Sequence, residues 1–259
     1  MAQRVFGFQQ GRVMKRFERT ELLLGRAAFE KLLAARVTVC GLGAVGSYAV
    51  EALARAGIGR ITLVDFDKIK QSNFNRQLYA LESTVGKFKA DVAQMRIRDI
   101  NPACVVEVKK VFIEGATVDG LLADAPHAVI DAIDSLSPKV ILISACVKKG
   151  LFLVSSLGAA SRMDPSCVRA GDISETRNCP LGRMIRKKLH RLGIYKGVRC
   201  VYSLERASGN THVCAPEKEE FDRGRPRRPI GSLSYITGIF GLMAAGEVIR
   251  YIISKESPQ

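Results

Sequence analysis

The sequence predicts an α/β protein built on a mostly parallel, Rossmann-like sheet with flanking helices, followed by a C-terminal extension. Three observations lead there. From Arg36 onward, short runs rich in Val, Ile and Leu alternate with helix-period segments, the pattern of βαβ units. The first run leads into Gly41, Gly43 and Gly46, spaced as G-x-G-x-x-G, and then into a helical segment. The second run ends on Asp65, nineteen residues after Gly46, where an acid can accept a ribose hydroxyl hydrogen bond.

The elements follow in order. RTELLLGRAAFEKLLAA reads as one amphipathic helix ahead of the sheet, with Leu22, Leu23, Ala27, Leu32 and Leu33 available for one broad apolar face. Strands are expected over 36–40, 60–64, 105–112, 128–133 and 151–156, all short and apolar, as strands covered on both faces are. Helices are expected near 44–56, 87–99 and 137–148. Past residue 160 the alternation loosens into VRAGDI, a basic helix-like stretch near 181–192, VRCVYSL, and a polar segment, 206–229, expected to be a mobile loop. The final apolar stretch from Ile230 is free of charge only to Gly246. Glu247 and Arg250 then interrupt it, so a buried helix is expected in place of a membrane span. The organisation is an N-terminal arm and helix over 1–35, a nucleotide-binding core over 36–160 and a C-terminal extension over 161–259.

Charge is unevenly spread along the 259 residues, whose net charge is +15. Lys plus Arg against Asp plus Glu runs 8 to 3 over 1–36, 16 to 15 over 37–176, 14 to 5 over 177–228 and 2 to 2 thereafter. The middle is neutral, and the excess sits on the N-terminal arm and a late basic segment, where clustered Arg and Lys neutralise phosphates. A polyanionic partner is the inference; the plainer alternative is a solvated basic surface. The seven cysteines, Cys40, Cys104, Cys146, Cys167, Cys179, Cys200 and Cys214, include no CxxC pair and no Cys/His spacing of a zinc site. Their odd number, without a secretory leader, points to free thiols in the cytoplasm.

By themselves the glycines and Asp65 imply a nucleotide without saying which, and an NAD-dependent oxidoreductase is the default alternative. The segment LVDFDKIKQSNFNRQLY favours ATP, because it sets polar and cationic groups just past the acid. Arg76 can make forked hydrogen bonds to phosphate oxygens, and Lys89 supplies a point charge at a helix start. Asn73 can orient ribose or phosphate. In AVIDAIDS, Asp131 and Asp134 sit at a strand's carboxyl end, where a carboxylate can hold Mg2+ against phosphates.

GLGAVGSYAVEALARAGIGRITLVDFD, SNFNRQLYALESTVGKFKAD, INPAC and VIDAIDS resemble the ubiquitin-activating-enzyme-like adenylating superfamily. Within it, RFERTELLLG, CPLGRMIRKKLHRLGI and GIFGLMAAGEVI are most similar to bacterial tRNA threonylcarbamoyladenosine dehydratases. The resemblance implies an enzyme that uses ATP and Mg2+ to adenylate the carboxylate of threonylcarbamoyladenosine beside the tRNA anticodon, so that the modification cyclises with loss of water. It implies that Gly41, Gly43 and Gly46 form the nucleotide loop and that Asp65 holds ribose. Asn73, Arg76 and Lys89 would contact ATP, and Asp134 would sit at Mg2+. Arg19, in RFERTE, matches the family arginine that reaches a neighbouring subunit's triphosphate, which implies a homodimer. The implied catalytic residues are thus Arg19, Arg76, Lys89 and Asp134. The alternative within the superfamily is an adenylyltransferase that activates the C-terminus of a ubiquitin-like sulfur-carrier protein, with sulfur-relay or carrier proteins as partners. The paired CxxC zinc ligands of many such enzymes are missing here. Cys200 and Cys214 lie where some superfamily members keep a catalytic cysteine, but no local feature marks either as a low-pKa nucleophile.

Overall fold

The computed structural model describes residues 15–207 and 230–255. One sheet holds β1 (Arg36–Cys40), β2 (Arg60–Val64), β3 (Val105–Lys109), β4 (Ala128–Asp131), β5 (Phe152–Ser156), β6 (Val168–Asp172) and β7 (Arg199–Ser203). Their spatial order is β3-β2-β1-β4-β5-β7-β6. Neighbours run parallel throughout except for β6 against β7. The chain steps outward from β1 to β3, then returns to lay β4 on the other side of β1. That reversal opens a crevice at the carboxyl ends of β1 and β4, where sheets of this kind bind ligands.

Alternation along each strand feeds two cores. Val37, Val39, Ile61, Leu63, Ile130, Val154 and Val201 pack into one, with α2 (Arg26–Ala34), α3 (Gly46–Ala56), α4 (Lys89–Ile100) and α8 (Ser234–Ser254). Cys40, Val64, Val129, Leu153 and Cys200 face the other, under α5 (Gly115–Leu121), α6 (Leu136–Lys148) and α7 (Pro180–His190). Successive side chains of a strand point to opposite faces, so a run apolar at every position must be covered on both.

Two expectations need correction. The segment ahead of the sheet is two helices, α1 over residues 15–24 and α2, broken at Gly25, whose φ of 78° is left-handed. A helical period counted through that glycine puts Leu22 and Leu23 on the core face, yet they are 79% and 83% exposed. Phe17, Phe29 and Leu32 are buried instead, with the two rings 5.9 Å apart. The strands expected over 105–112 and 128–133 also end early, at Lys109 and Asp131. Asp134 therefore lies in the loop beyond β4. Residues 208–229, which include Cys214 and nearly all of the expected mobile loop, lie outside the described residues.

The apolar C-terminal stretch forms α8, a helix long and apolar enough to cross a membrane by length and composition. It packs as a core helix: Ile236, Phe240, Ala244, Ala245, Val248 and Ile252 are buried in the first core. Its acid is satisfied, since Glu247 accepts from Arg199 Nε at 2.6 Å and is also paired with Arg250. A Cβ at Gly241 would overlap the Val45 carbonyl oxygen and lie 2.9 Å from the Tyr48 Cβ, so α8 sits directly on α3. Gly241→Ala is accordingly expected to lower stability by roughly 1–3 kcal/mol through overpacking. Gly246→Ala, whose Cβ would meet only the Arg250 side chain at 3.6 Å, should gain up to about 1 kcal/mol of helix propensity. Thermal unfolding of the two variants decides: equal shifts in Tm would mean that α8 is not seated on α3 as described.

Candidate nucleotide-binding site

The carboxyl ends of β1, β2 and β4 converge on the glycine loop. Gly41 is left-handed, at φ 88°, and a Cβ there would lie 2.8 Å from the Ala132 carbonyl oxygen. At Gly46 a Cβ would overlap the Gly41 carbonyl oxygen. These two positions let the chain reverse and start α3 directly beneath the crevice. The amides of its first turn and its dipole then favour a negative charge placed there. Gly43 has a different surrounding: a Cβ would meet only Gln77 Nε2, at 3.7 Å, which leaves backbone open to a ligand.

Asp65, the residue after β2, is buried and held by two amides, Leu42 N to Oδ2 at 2.6 Å and Asp67 N to Oδ1 at 2.8 Å. Burial pushes its carboxyl up, against the opposing pull of Lys89 and of those amides. Both bonds hold the carboxylate in place, and its remaining lone pairs can take ribose hydroxyls. Lys89 opens α4, is buried, and pairs with Asp67 Oδ2 at 2.8 Å. Its ammonium is therefore already positioned beside the acid by a partner that is itself half-exposed.

The segment carrying Asn73 and Arg76 is docked onto the start of α3. Leu78 N donates to Ser47 Oγ at 3.3 Å, and the Tyr79 hydroxyl to the Ser47 carbonyl at 3.2 Å. Asn73 is buried, its Oδ1 accepting from Lys70 N at 3.0 Å. Arg76 Nη1 donates to the Ser72 carbonyl at 2.7 Å and to Asn75 Oδ1 at 2.8 Å. Glycine loop, Asp65, Asn73, Arg76 and Lys89 thus share one edge of the sheet.

The two acids of β4 and its loop differ in kind. Asp131 is fully buried, accepting from Lys139 Nζ at 2.7 Å and Ser155 Oγ at 2.7 Å. Lys139, equally buried, also donates to the Ser156 carbonyl at 2.8 Å. Asp131 is thereby committed to joining β4, β5 and α6, whereas Asp134 is exposed on the loop. Among the described residues, no group of three or more His, Cys, Asp and Glu side chains comes together as a metal cluster. Arg19 stands on α1, whose anchors lie at the opposite, amino edge of the sheet. Arg16 donates to the Ile100 carbonyl at 2.7 Å, and the Phe17 ring lies 3.6 Å from the Cβ position of Gly57. The fold does not bring Arg19 to the glycine loop of its own chain. Cys200 lies buried in β7, where burial pushes its thiol up, away from the thiolate a nucleophile needs.

The cavity beside Asp65 is not legible in the sequence. Phe66, Lys110, Val111, Phe112, Glu114 and Thr117 line about 300 Å3 at the carboxyl ends of β2 and β3, with Phe66 and Phe112 edge to face at 5.3 Å. The apolar run to Phe112 reads as strand, and only the early end of β3 frees it to line a cavity.

The sequence profile of the ThiF family matches residues 17–259. The chain belongs to the ThiF family. Among ThiF-family relatives, the tRNA threonylcarbamoyladenosine dehydratase of Bacillus subtilis is 38% identical over 93% of this chain and 96% of its own length. That of Escherichia coli is 36% identical over 95% and 96%. The crystal structure of the E. coli tRNA N6-threonylcarbamoyladenosine dehydratase in complex with ATP superposes with a TM-score of 0.83 at 34% identity, covering 93% of this chain and 95% of that one.

The burial of Lys139 is not legible in the sequence either, since a Lys within a helical run looks like surface charge. Removing its partner tests the buried pair. Asp131→Asn leaves a buried ammonium without its counter-ion and is expected to destabilise the fold by about 3–5 kcal/mol. Ser155→Ala removes the Ser155 Oγ hydrogen bonds to Asp131 Oδ2 and from Lys139 Nζ but leaves the ion pair itself in place, and should cost about 1–3 kcal/mol. Denaturant unfolding measures both, and a smaller loss for Asp131→Asn than for Ser155→Ala would contradict the assignment.

Proposed function

We propose that this protein is an ATP-dependent dehydratase that adenylates the carboxylate of threonylcarbamoyladenosine next to the tRNA anticodon and so promotes its cyclisation. The observation that carries this reading is the match, over more than nine-tenths of both chains, to dehydratases of that name. The phosphate-directed edge of Gly41, Gly43, Gly46, Arg76 and Lys89 supports it.

ATP supplies the adenylyl group: a carboxylate oxygen bonds to the α-phosphorus as the bond to pyrophosphate breaks. AMP then leaves, carrying that oxygen, when a nucleophile within the same modification closes on the activated carbonyl. A carboxylate is ionised at neutral pH, so the first step needs no strong base. The protein's work is positioning and neutralising charge. The glycine loop and the first turn of α3 face the phosphates, Arg76 and Lys89 offset their charge, and Asn73 steadies the segment that carries Arg76. Asp65 takes the ribose hydroxyls, and the cavity walled by Phe66 and Phe112 takes the adenine ring. Asp134 would hold Mg2+, which would offset phosphate charge there. Arg19, anchored at the far edge of its own sheet, serves the triphosphate of a second copy in a cytoplasmic homodimer.

Helix α7 is the surface for tRNA. Gly182, Ile185 and Leu189 bury one face, which turns Arg183, Lys187, Lys188 and Arg191 outward. Arg186 is engaged elsewhere, donating to the Thr176 carbonyl at 2.8 Å and to the Thr176 hydroxyl.

Incubation of the protein with ATP, Mg2+ and threonylcarbamoyl-modified tRNA is expected to give a nucleoside lighter by one water. Arg76→Ala and Lys89→Ala should each reduce the rate at least ~100-fold while the melting curve stays cooperative. An unchanged nucleoside mass with the parent protein would sink the reading, and parental rates in both variants would remove the ATP-site assignment. A second prediction concerns α7. Changing Arg183, Lys187, Lys188 and Arg191 together to Glu should weaken tRNA binding and flatten its log–log salt dependence, by roughly 0.9 for each phosphate no longer neutralised. ATP affinity without tRNA should not move. A salt slope like the parent's would leave this helix as a merely solvated face.

A further inference from the structure

We infer that Arg162 is the residue that receives the carboxylate to be adenylated, an inference that rests on the dehydratase reading and adds a residue to its site. Arg162 lies in the loop between β5 and β6, at the sheet edge where β5 and β7 end. Its side chain is 2% exposed. One bond is made, from Nη2 to the Asn178 carbonyl at 2.8 Å, and among the described residues Nε and Nη1 have no acceptor. A guanidinium stays charged at any working pH. Burying it with donors unmet on both edges is costly unless an anion completes it.

The acids of the surrounding loops are engaged with other groups. Asp164 accepts from Ser166 N at 2.8 Å and is also paired with Cys167. Glu205 accepts from Met163 N and Asp164 N. Asp172 accepts from Gly197 N and Val198 N, and Glu175 from Asp172 N. Among the described residues no acid supplies the missing charge, which is therefore expected from a ligand.

Backbone geometry points the same way. Ser161, just before Arg162, and Asn178, which binds its guanidinium, are left-handed at φ 57° and 55°. Such conformations outside glycine gather at functional sites. The loop is also joined to the nucleotide edge: Ser161 N donates to the Gly231 carbonyl at 2.8 Å, and Asn75 Nδ2 to the Ser232 carbonyl at 3.1 Å. Asn75 is the same residue that accepts from Arg76. One short segment thus ties the Arg162 loop to the residue proposed for the triphosphate.

Adenylation has to bring a carboxylate against a triphosphate of like charge. Arg76 and Lys89 serve the phosphates, so the carboxylate needs a cation of its own, and a planar guanidinium matches its two oxygens. The loop leading to Arg162 is built of the small residues Gly158, Ala159, Ala160 and Ser161.

The test compares the full-length parent with Arg162→Gln and Arg162→Lys. Arg162→Gln is expected to lower kcat/KM for threonylcarbamoyl-modified tRNA roughly tenfold or more, as loss of a charged hydrogen-bond pair does, with Arg162→Lys recovering part of it. The preference of the parent for modified over unmodified tRNA should disappear in Arg162→Gln, while affinities for ATP and for unmodified tRNA stay put. The ligand-free Tm of Arg162→Gln should equal or exceed the parent's, because an uncompensated buried charge has gone. Loss of ATP affinity would assign Arg162 to the triphosphate, and equal loss for both tRNAs would assign it to backbone phosphate; either overturns the proposal. So does an unchanged kcat/KM, or a Tm drop that a purely structural arginine would produce. If the parent itself leaves the modification unchanged, the dehydratase reading fails first, and that outcome is separate from failure in the variant alone.

Discussion

Gly46 lies under the carbonyl of Gly41 so closely that one methyl group would overlap the oxygen. That approach is possible only without side chains, and much of the site hangs from it. It allows α3 to begin immediately after β1, with its first amides at the crevice. It sets Ser47 where Leu78 and Tyr79 can dock, which brings the Arg76 segment against the loop. On its far side α3 takes Gly241 of α8 at a similarly short range. A helix held from both sides gives the phosphates a fixed dipole, and preorganised dipoles act on a reaction without reorganising during it.

Buried ions along the carboxyl edge show two ways of handling charge. Lys139 meets Asp131, Ser155 and the Ser156 carbonyl, so its charge is compensated within the chain and it joins three elements. Arg162 meets one carbonyl. In a low-dielectric interior a satisfied ion is structural, and an unsatisfied one is stable only in company with something else. Lys89 is intermediate, buried but paired with an acid that water can reach.

The sheet also separates tasks by edge. At the amino edge, Arg16 and Phe17 anchor α1; at the carboxyl edge, loops carry glycine, acid and cation. The basic excess falls mainly on neither, but on the late segment whose described part includes α7. Its cations cannot be buried without partners, so they mark the solvent face of a helix whose other face holds Ile185 and Leu189.

The sequence by itself determined the parallel α/β architecture, the glycine loop, Asp65, and the cationic groups that follow, because these depend on local patterns: apolar runs of strand length, glycine spacing, an acid ending a strand. It determined that the last helix is a core element, through Glu247 and Arg250. Tertiary structure alone decided which charges are buried and which stay exposed. Asp131 and Asp134 are three residues apart and look alike in sequence, yet Asp131 is buried against Lys139 of α6 and Ser155 of β5 while Asp134 is exposed. Leu22 and Leu23 look like core until Gly25 turns the chain. Arg162 carries no motif, and its unmet donors exist only because segments distant in the chain close around it. Burial and pairing across the sheet are sums over residues far apart in the chain, and no local pattern encodes them.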